Sequence, residues 1–372
     1  MNPFIVKGYS GSSYFCDRES ETVRLLNAIR NQRDVTLISL RKMGKTGLIF
    51  RVFDQLNKEK THDTIYLDIF HTQNLNGLIN QLATAIFRMK KPFGKRMKDF
   101  FAGFRYVRPV ISIDPFSGLP SVTLQVADEK EAKATLDELF RILTERSRTI
   151  PVVVAIDEFQ QINQYPEKNV EALLRGIIQQ LTQVAFIFSG SNKTMLTRMF
   201  GDASRPFYQS TEMMFLEEIN ADSYLIFISK HFSINGRKVD PETVTGLLNW
   251  TRNHTWYLQY TCNRIFETGQ ACNEETKRTV IADVLLGFEP FYLEYRSLVT
   301  RHQWQLLKAI AHSGSVATIT SGNFLRQFAL TSASTVKRGI DTLTEKEMIY
   351  KKEGKYFVYD VFFSRWLELQ AI

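Results

Sequence analysis

Two short stretches combine residues whose types and spacing could bind a phosphate chain and a divalent cation. The first is a Gly-Lys-Thr triplet at residues 44–46, which follows an apolar run at 35–38. Backbone N–H groups at the start of a helix attract anions, a lysine neutralises phosphate oxygens, and a threonine hydroxyl is a ligand of Mg2+. A strand, a tight loop, this triplet and a helix therefore predict a phosphate-binding loop centred on Lys45 and Thr46.

The loop departs from the pattern G-x-x-x-x-G-K-[ST] at one position, where Ser39 stands in place of the first glycine. That position needs a small residue more than a particular one, so the interpretation stands. Apolar residues then recur at the spacing of a helix with one apolar face. They are Leu48, Ile49, Val52, Phe53 and Leu56.

The second stretch is an apolar run at 152–156 that ends in Asp157 and Glu158. A strand that is apolar throughout is buried on both faces, which is typical of the middle of a parallel sheet. Ligands bind beyond the carboxyl ends of such strands. We therefore expect Asp157 to join the coordination shell of Mg2+, and Glu158 to orient and polarise an attacking water.

Composition limits the class of protein. The chain has 372 residues and a net charge of +8, which suits two or three domains and a polyanionic ligand, nucleotide or nucleic acid. The three cysteines form no CxxC pair and the six histidines show no metal-binding spacing, so we expect reduced thiols and no structural metal. Apolar runs fall short of the ~20 residues of a membrane span and no signal sequence is evident, which favours a cytoplasmic protein without a membrane partner.

A parallel sheet is needed to bring the two stretches together, and five apolar runs predict its strands. They begin near Val35, Thr64, Val152, Val184 and Met213, with helices between them, as in an α/β fold. Residues 91–130 are predicted to be an insertion. The interleaved basic and aromatic residues of 88–108 could grip nucleic acid, and a solvated amphipathic helix is the alternative.

Two further segments lie where a nucleotide would be bound. Ser191 and Asn192 follow the fourth strand and could reach the γ-phosphate or the attacking water, or else cap the next helix. Residues 14–19 precede the first helix and could pack on the adenine base, or the helix could simply cover the edge of the sheet. Both alternatives stay open at this stage.

The last 150 residues have a helical pattern. Helices near 220–232, 240–252, 255–268 and 274–287 predict a helical lid. Three more helices and a hairpin near 348–359 predict a winged helix. Its basic residues suit DNA, although such a domain could instead clamp the nucleotide-binding domain. They are Lys337, Arg338, Lys351, Lys352 and Lys355.

Taken in order, the segments SLRKMGKTGL, VVVAIDEFQQI, FIFSGSNKTML, SRPFYQ and HTWYLQ cover nearly the whole chain. With the terminal winged helix, they resemble the archaeal-ATPase-like group, on the STAND side of the AAA+-related P-loop ATPases, which also looks similar to initiator ATPases. Members of that group work as nucleotide-driven switches or in defence and mobile-element systems.

The resemblance implies roles for named residues. It makes Asn192 or Ser191 the first sensor of the γ-phosphate, Arg205 an arginine finger, and His254 a lid residue that faces the phosphates. The alternative for Arg205 is an ion pair with a surface acid such as Asp202. The nucleotide-binding residues implied are Arg41, Lys42, Met43, Gly44, Lys45, Thr46 and Gly47.

Two features depart from the group. His254-Thr255 stands where relatives often carry Gly-x-Pro or His-Pro. The arginine that signalling members place directly after the fourth strand is absent, unless Lys193 substitutes for it.

We therefore expect a P-loop ATPase core of five parallel strands in the order 5-1-4-3-2 (residues 1–218), a helical lid (219–290) and a C-terminal winged helix (291–372). The expected function is Mg2+-dependent binding and slow hydrolysis of ATP to ADP, coupled to movement of the lid and winged helix. One alternative is a DNA-binding regulator in which ATP is mainly a structural ligand. Another is a small-molecule kinase, which the adjacent Asp157-Glu158 pair disfavours because a water-activating carboxylate serves hydrolysis. Homo-oligomer formation is left open.

Overall fold

A computed structural model describes residues 2–89, 107, 109–115 and 118–371. The chain divides into two compact units, one of Lys7–Glu218 and the other of Met1–Val6 with Ile219–Ile372. The described strands, in chain order, are β1 (Val35–Ile38), β2 (Asp63–Asp68), β3 (Val110–Ile113), β4 (Pro120–Thr123), β5 (Val152–Asp157), β6 (Val184–Gly190), β7 (Glu212–Phe215), β8 (Ile349–Lys352) and β9 (Lys355–Val358).

The first unit is built on a parallel sheet in the order β2-β5-β6-β1-β7. When the five strands of this sheet are numbered in chain order and the sheet is read from the β7 edge, the order is 5-1-4-3-2, as predicted. The labels used here differ because β3 and β4 belong to the insertion. Every residue of β5 and of β6 is buried. The apolar run before Asp157 is therefore a central strand, as its composition predicted.

Helices cover both faces of this sheet. In the first unit they are α1 (Glu19–Arg30), α2 (Lys45–Glu59), α3 (Leu75–Phe87), α4 (Glu129–Ser147), α5 (Val170–Ile178) and α6 (Lys193–Gly201). The period of two along β5 divides its side chains between two cores. Val152, Val154 and Ile156 pack into one cluster, whereas Val153 and Ala155 pack into the other.

The described part of the predicted insertion contains an antiparallel hairpin of β3 and β4. It packs on α3, where the Thr84 hydroxyl and the Val122 backbone exchange hydrogen bonds of 3.0 and 3.2 Å. The whole of its second strand, Pro120–Thr123, pairs with β3. The basic and aromatic stretch at 88–108, for which nucleic-acid binding and a solvated amphipathic helix were the alternatives, lies almost entirely outside the described residues.

The second unit contains the lid helices and the winged helix. The lid helices are α7 (Ala221–Ile234), α8 (Pro241–Trp250), α9 (Thr255–Glu267) and α10 (Glu274–Ser297). The winged helix comprises α11 (Arg301–His312), α12 (Gly322–Gln327), α13 (Ala333–Glu345), the hairpin β8-β9 and α14 (Val361–Glu368). The three helices and the hairpin confirm the predicted winged helix.

One predicted helix is longer than the sequence indicated. α10 continues through Pro290, where the sequence favoured an end at 287. Packing outweighs the proline, because Tyr292 contacts the rings of Phe363 and Trp366. Both belong to α14, a helix that the sequence analysis did not predict.

No helix in the described ranges is long and apolar enough to cross a membrane. Cys16, Cys262 and Cys272 are all free and buried, as expected for reduced thiols.

Candidate functional site

The phosphate loop (residues 39–46) joins β1 to α2 and has the backbone conformation that an anion site requires. Gly44 precedes α2 with φ 95°, in the left-handed region that glycine tolerates best. No side chain caps α2, so its first N–H groups point towards the carboxyl edge of the sheet without a side-chain acceptor. Phe15 packs on the first turn, where a Cβ added to Gly47 would lie 2.9 Å from its ring.

Lys45, the first residue of α2, is a buried cation with 6% exposure. Its Nζ lies 3.3 Å from Ser39 Oγ and 3.4 Å from the carbonyl oxygen of Leu40, both neutral groups. Burial lowers the pKa of Lys45, and the nearby carboxylates of Glu158 and Asp157 partly offset this. A buried ammonium group without a bonded anion is costly, and a phosphate would supply that anion.

Asp157, at the end of β5, is held by four donors and is 4% exposed. Its Oδ2 accepts from Thr46 Oγ1 at 2.8 Å and from Tyr66 Oη at 2.9 Å. Its Oδ1 accepts from Ser189 Oγ at 2.5 Å and from the backbone N–H of Glu158 at 3.1 Å. Burial and the charge of Asp157 raise the pKa of Tyr66, so this phenol remains a donor.

The pair of Thr46 and Asp157 fits a magnesium site. Mg2+ prefers oxygen ligands, keeps several waters, and is usually held by one or two protein groups together with substrate phosphates. The hydroxyl and the carboxylate supply such ligands side by side at the mouth of the phosphate loop. The two predicted metal ligands are therefore brought together by the fold.

Glu158 lies directly after β5 in a left-handed conformation, with φ 56° and ψ 41°. A non-glycine residue in this region is uncommon and often marks a functional position. Its Oε2 accepts from Ser191 Oγ at 2.9 Å and from Gln160 Nε2 at 2.5 Å. Arg41 Nε lies 3.4 Å from the same Ser191 hydroxyl, so the loop, β5 and β6 converge on this carboxylate.

A third carboxylate, Asp68, ends the neighbouring strand β2 and lies opposite Asp157 in the register. Burial raises its pKa, and the charges of Asp157 and Glu158 raise it further. The carboxyl edge of the sheet is therefore rich in negative charge, which favours a cation between it and bound phosphates.

Four other predicted residues have different local surroundings. Asn192 caps α6 by accepting from the backbone N–H of Met195 at 3.0 Å, the alternative that the sequence left open. The side chain of Met43 is buried at 2% exposure. Lys42 takes φ 63° in the loop. His254 belongs to the second unit, where it precedes α9 and stacks edge-on against Tyr257 at 4.8 Å.

Arg205 is engaged in an ion pair within the first unit. Its guanidinium bonds the carboxylate of Glu171 and, at 2.5 Å, Asn163 Oδ1. The partner is therefore Glu171 rather than Asp202, which the sequence suggested. Burial raises the pKa of Glu171 although Arg205 lowers it.

Three residues of the site were missed by the sequence analysis: Tyr66, Ser189 and Gln160. Ser189 and Tyr66 had one weak signal each, a polar group in or beside an otherwise apolar strand. Gln160 lies two residues after Glu158 in the segment DEFQ, and nothing in that spacing revealed a contact. All three donate to the Asp157–Glu158 pair.

A second candidate site is the basic surface of the winged helix. Lys337 and Arg338 on α13 are exposed, as are Lys351 and Lys355 on the hairpin. Acidic residues share this helix, since Asp341 and Glu345 are also exposed. The surface is thus mixed in charge, with Lys337 and Arg338 near the middle of α13 and further lysines on the hairpin.

The sequence matches a family model described as an ATPase domain predominantly from Archaea over residues 15–245. A model of a probable winged helix domain matches residues 290–369. No curated protein sequence gave a match.

Several solved structures share the fold at low sequence identity. A Walker-type ATPase of Pyrococcus abyssi is 16% identical with a TM-score of 0.69, covering 99% of this chain and 100% of that one. The ORC2 protein of Aeropyrum pernix, solved as ADPNP-ADP complexes, is 13% identical with a TM-score of 0.61, covering 99% and 96%. The ORC1 protein of the same organism, solved in complex with DNA, is 13% identical with a TM-score of 0.52, covering 95% and 92%.

Proposed function

Because the chain belongs to the family of ATPase domains predominantly from Archaea, we propose that it binds ATP and hydrolyses it slowly to ADP in a Mg2+-dependent reaction. The observation that carries this proposal is the buried Lys45, whose hydrogen-bond partners among the described residues are neutral, and which lies near two carboxylates. A triphosphate with its metal ion would neutralise both sets of charge at once.

In the proposed reaction, Lys45 and the first N–H groups of α2 bind the phosphates. Thr46 and Asp157 would hold Mg2+, which when bound neutralises charge on the phosphate oxygens. Glu158 accepts a hydrogen bond from water and orients it towards the γ-phosphate. Arg41 and Ser191 border the same carboxylate, and we assign them to sensing the terminal phosphate.

The proposal extends to a switch in which nucleotide state changes the positions of the lid and winged helix. His254 would then report on the phosphates from the lid, and Asn192 would act near the γ-phosphate only after leaving its cap on α6. Arg205 would serve as a finger only after releasing Glu171. The roles of Asn192 and Arg205 therefore require movement.

Two substitutions separate binding from turnover. Lys45→Ala removes a contact to ground-state phosphate, so binding of labelled ATP should weaken by about 10- to 150-fold, the equivalent of roughly 1.5–3 kcal/mol for a charged hydrogen bond. Glu158→Gln should bind ATP normally and release phosphate about 10²–10⁴-fold more slowly. Gln55→Ala on the exposed face of α2 is a matched control. Equal turnover by wild type and Glu158→Gln would refute the assignment.

A DNA-binding regulator is the second candidate, favoured by the exposed basic residues of the winged helix. Replacing Lys351, Lys352 and Lys355 by Glu should weaken duplex binding and flatten the slope of log K against log salt by about 0.9 for each lost phosphate contact. Replacing Lys90, Lys91 and Lys95 tests the basic stretch separately. Undetectable binding at low salt, or wild-type affinity in both triple variants, would exclude this function.

A further inference from the structure

The side-chain amide of Gln160 is buried at the site, and its hydrogen bonding is only half satisfied by the described residues. It is 9% exposed, and its Nε2 donates to Glu158 Oε2 at 2.5 Å. Its Oε1 is buried and has no hydrogen-bond donor among the described residues. An unsatisfied buried carbonyl costs free energy, so this amide gains one bond to a carboxylate while leaving its own oxygen unpaired.

The space for this side chain is provided by Gly190, the last residue of β6. A Cβ built on Gly190 would lie 2.0 Å from Gln160 Oε1 and 2.9 Å from Leu196 Cδ1. The φ of Gly190 is not positive, so its backbone does not demand a glycine. A glycine is needed at this position because any side chain would overlap the Gln160 amide.

Glu158 needs outside help to point in one direction. Its left-handed backbone places it at a sharp turn between β5 and the following 3-10 helix. Two donors, Gln160 and Ser191, hold the same oxygen, Oε2. The other oxygen, Oε1, therefore remains the one that can accept from a reacting water.

We propose that Gln160 is a positioning residue that aims the carboxylate of Glu158 at the attacking water, and that Gly190 keeps open the space in which it does so. The inference rests on the proposed ATP hydrolysis. Gln160 contacts neither phosphate nor metal in this arrangement. It acts through Glu158, as a second hydrogen-bonding partner commonly orients a reacting group.

Gln160→Met keeps the volume and removes the donor. We expect phosphate release at saturating ATP to fall about 10- to 100-fold, the scale of a small misplacement of a reacting group, while the affinity for labelled ATP stays within about twofold. The matched control is Gln161→Met, since Gln161 donates instead to the backbone carbonyl of Thr72 at 3.0 Å. The control should release phosphate at the wild-type rate.

Two double variants show whether Gln160 acts through Glu158 and Gly190. In single-turnover measurements, Gln160→Met added to Glu158→Gln should cause no further loss, because the carboxylate to be positioned is already gone. Gly190→Ala should displace the amide and slow turnover, and Gly190→Ala with Gln160→Ala should be no slower than Gln160→Ala alone.

The outcomes separate this inference from the function on which it rests. Wild-type protein that binds ATP and releases no phosphate overturns both. Phosphate release by the wild type with an equal rate in Gln160→Met overturns the positioning role alone. The positioning role is also overturned if the losses of rate in the double variants multiply, because a purely structural effect of Gln160 would be independent of Glu158. Thermal unfolding midpoints identify any variant that fails to fold, and Gly190→Ala then decides the question independently.

Discussion

Charged side chains have different partners at the two ends of the strands of the central sheet, the amino edge and the carboxyl edge. At the amino edge, Asp63 is bonded to Arg146, and Glu212 binds Arg24 at 2.6 Å and Arg33 at 2.8 Å. These acids meet guanidinium groups directly. The charges of these two acids are therefore neutralised within the chain.

At the carboxyl edge, Asp157 and Glu158 accept from hydroxyl and amide groups, and Lys45 donates to neutral oxygens. None of these three forms an ion pair with any residue that the structure describes. The carboxyl edge keeps its charges separated and fixed in position. The ion pairs at the amino edge stabilise the fold. The charges at the carboxyl edge form no such pairs among the described residues, and that edge can bind a ligand.

Substitution of Arg205 tests this comparison most severely, because it has the largest expected effect on the rate of hydrolysis. If it leaves Glu171 to reach a phosphate of a neighbouring chain, Arg205→Ala should slow hydrolysis by about 10³–10⁵-fold, as loss of an arginine finger does. Specific activity should also rise with protein concentration. Mixing Arg205→Ala with Lys45→Ala should restore activity, because a mixed interface pairs an intact site with an intact arginine. Concentration-independent turnover without rescue would make Arg205 a structural ion-pair partner.

Asp157→Asn sharpens the contrast at the carboxyl edge. We expect Mg2+-dependent phosphate release to fall about 10²–10³-fold, the scale of losing one preorganised charged group. The amide keeps an acceptor oxygen for Ser189 and the Glu158 N–H, and its NH2 group can donate to the hydroxyls of Thr46 and Tyr66, which then accept. The thermal unfolding midpoint should remain near that of the wild type. A large drop in the midpoint would show that the charge stabilises the fold rather than the ligand.

Arg146→Met makes the matching change at the amino edge. Asp63 then loses its partner while half-buried, and we expect the free energy of unfolding to fall by about 1–3 kcal/mol. Phosphate release per folded molecule should be unchanged. Arg33→Met is the control, because Arg33 is 55% exposed and such surface pairs contribute about 0–1 kcal/mol. Loss of turnover in Arg146→Met would contradict the division between the two edges.

Asp34 tests the amino edge by pH. It accepts from the backbone N–H of Phe186 at 2.8 Å, and burial raises its pKa from 3.8 to about 6. The folded protein therefore retains this proton better than the unfolded chain, so its contribution to stability is full below pH 4 and is lost as pH rises through 6. Asp34→Asn should be more stable than wild type by roughly 3 kcal/mol at pH 8, with the difference vanishing near pH 4. A pH-independent difference would exclude Asp34 as the titrating group.

Tyr66→Phe is expected to have the smallest effect. It removes one of four donors to Asp157 and keeps the ring that packs on Phe50 at 4.8 Å. The Mg2+ concentration for half-maximal phosphate release should rise about 2- to 10-fold, the scale of one hydrogen bond, with little change at saturating Mg2+. Tyr165→Phe is the control, since its hydroxyl bonds Thr72. An unaltered Mg2+ requirement would mean that the other donors suffice to hold Asp157.

Local patterns in the sequence determined the α/β core, the strand order and the winged helix. Apolar runs of strand length have one stable place, between layers of helices, and the Gly-Lys-Thr triplet requires a strand before it and a helix after it. Lys45, Thr46, Asp157 and Glu158 could be selected because their chemistry is tied to such elements. α10 was predicted too short because a proline signal is local, whereas the aromatic packing that overrides it comes from α14, about 70 residues further on.

Only the tertiary structure decided which neutral groups complete the site and which arginine is already paired. Tyr66 lies on β2, Ser189 on β6 and Gln160 after β5, and they converge on two adjacent carboxylates because parallel strands bring their ends to one edge. Arg205 pairs with Glu171, 34 positions earlier in the chain, and no spacing rule selects that acid over Asp202. Whether two distant segments form a hydrogen bond depends on differences of a few tenths of an ångström in their separation. A sequence pattern specifies the helices and strands, whereas these separations follow from how the helices and strands pack.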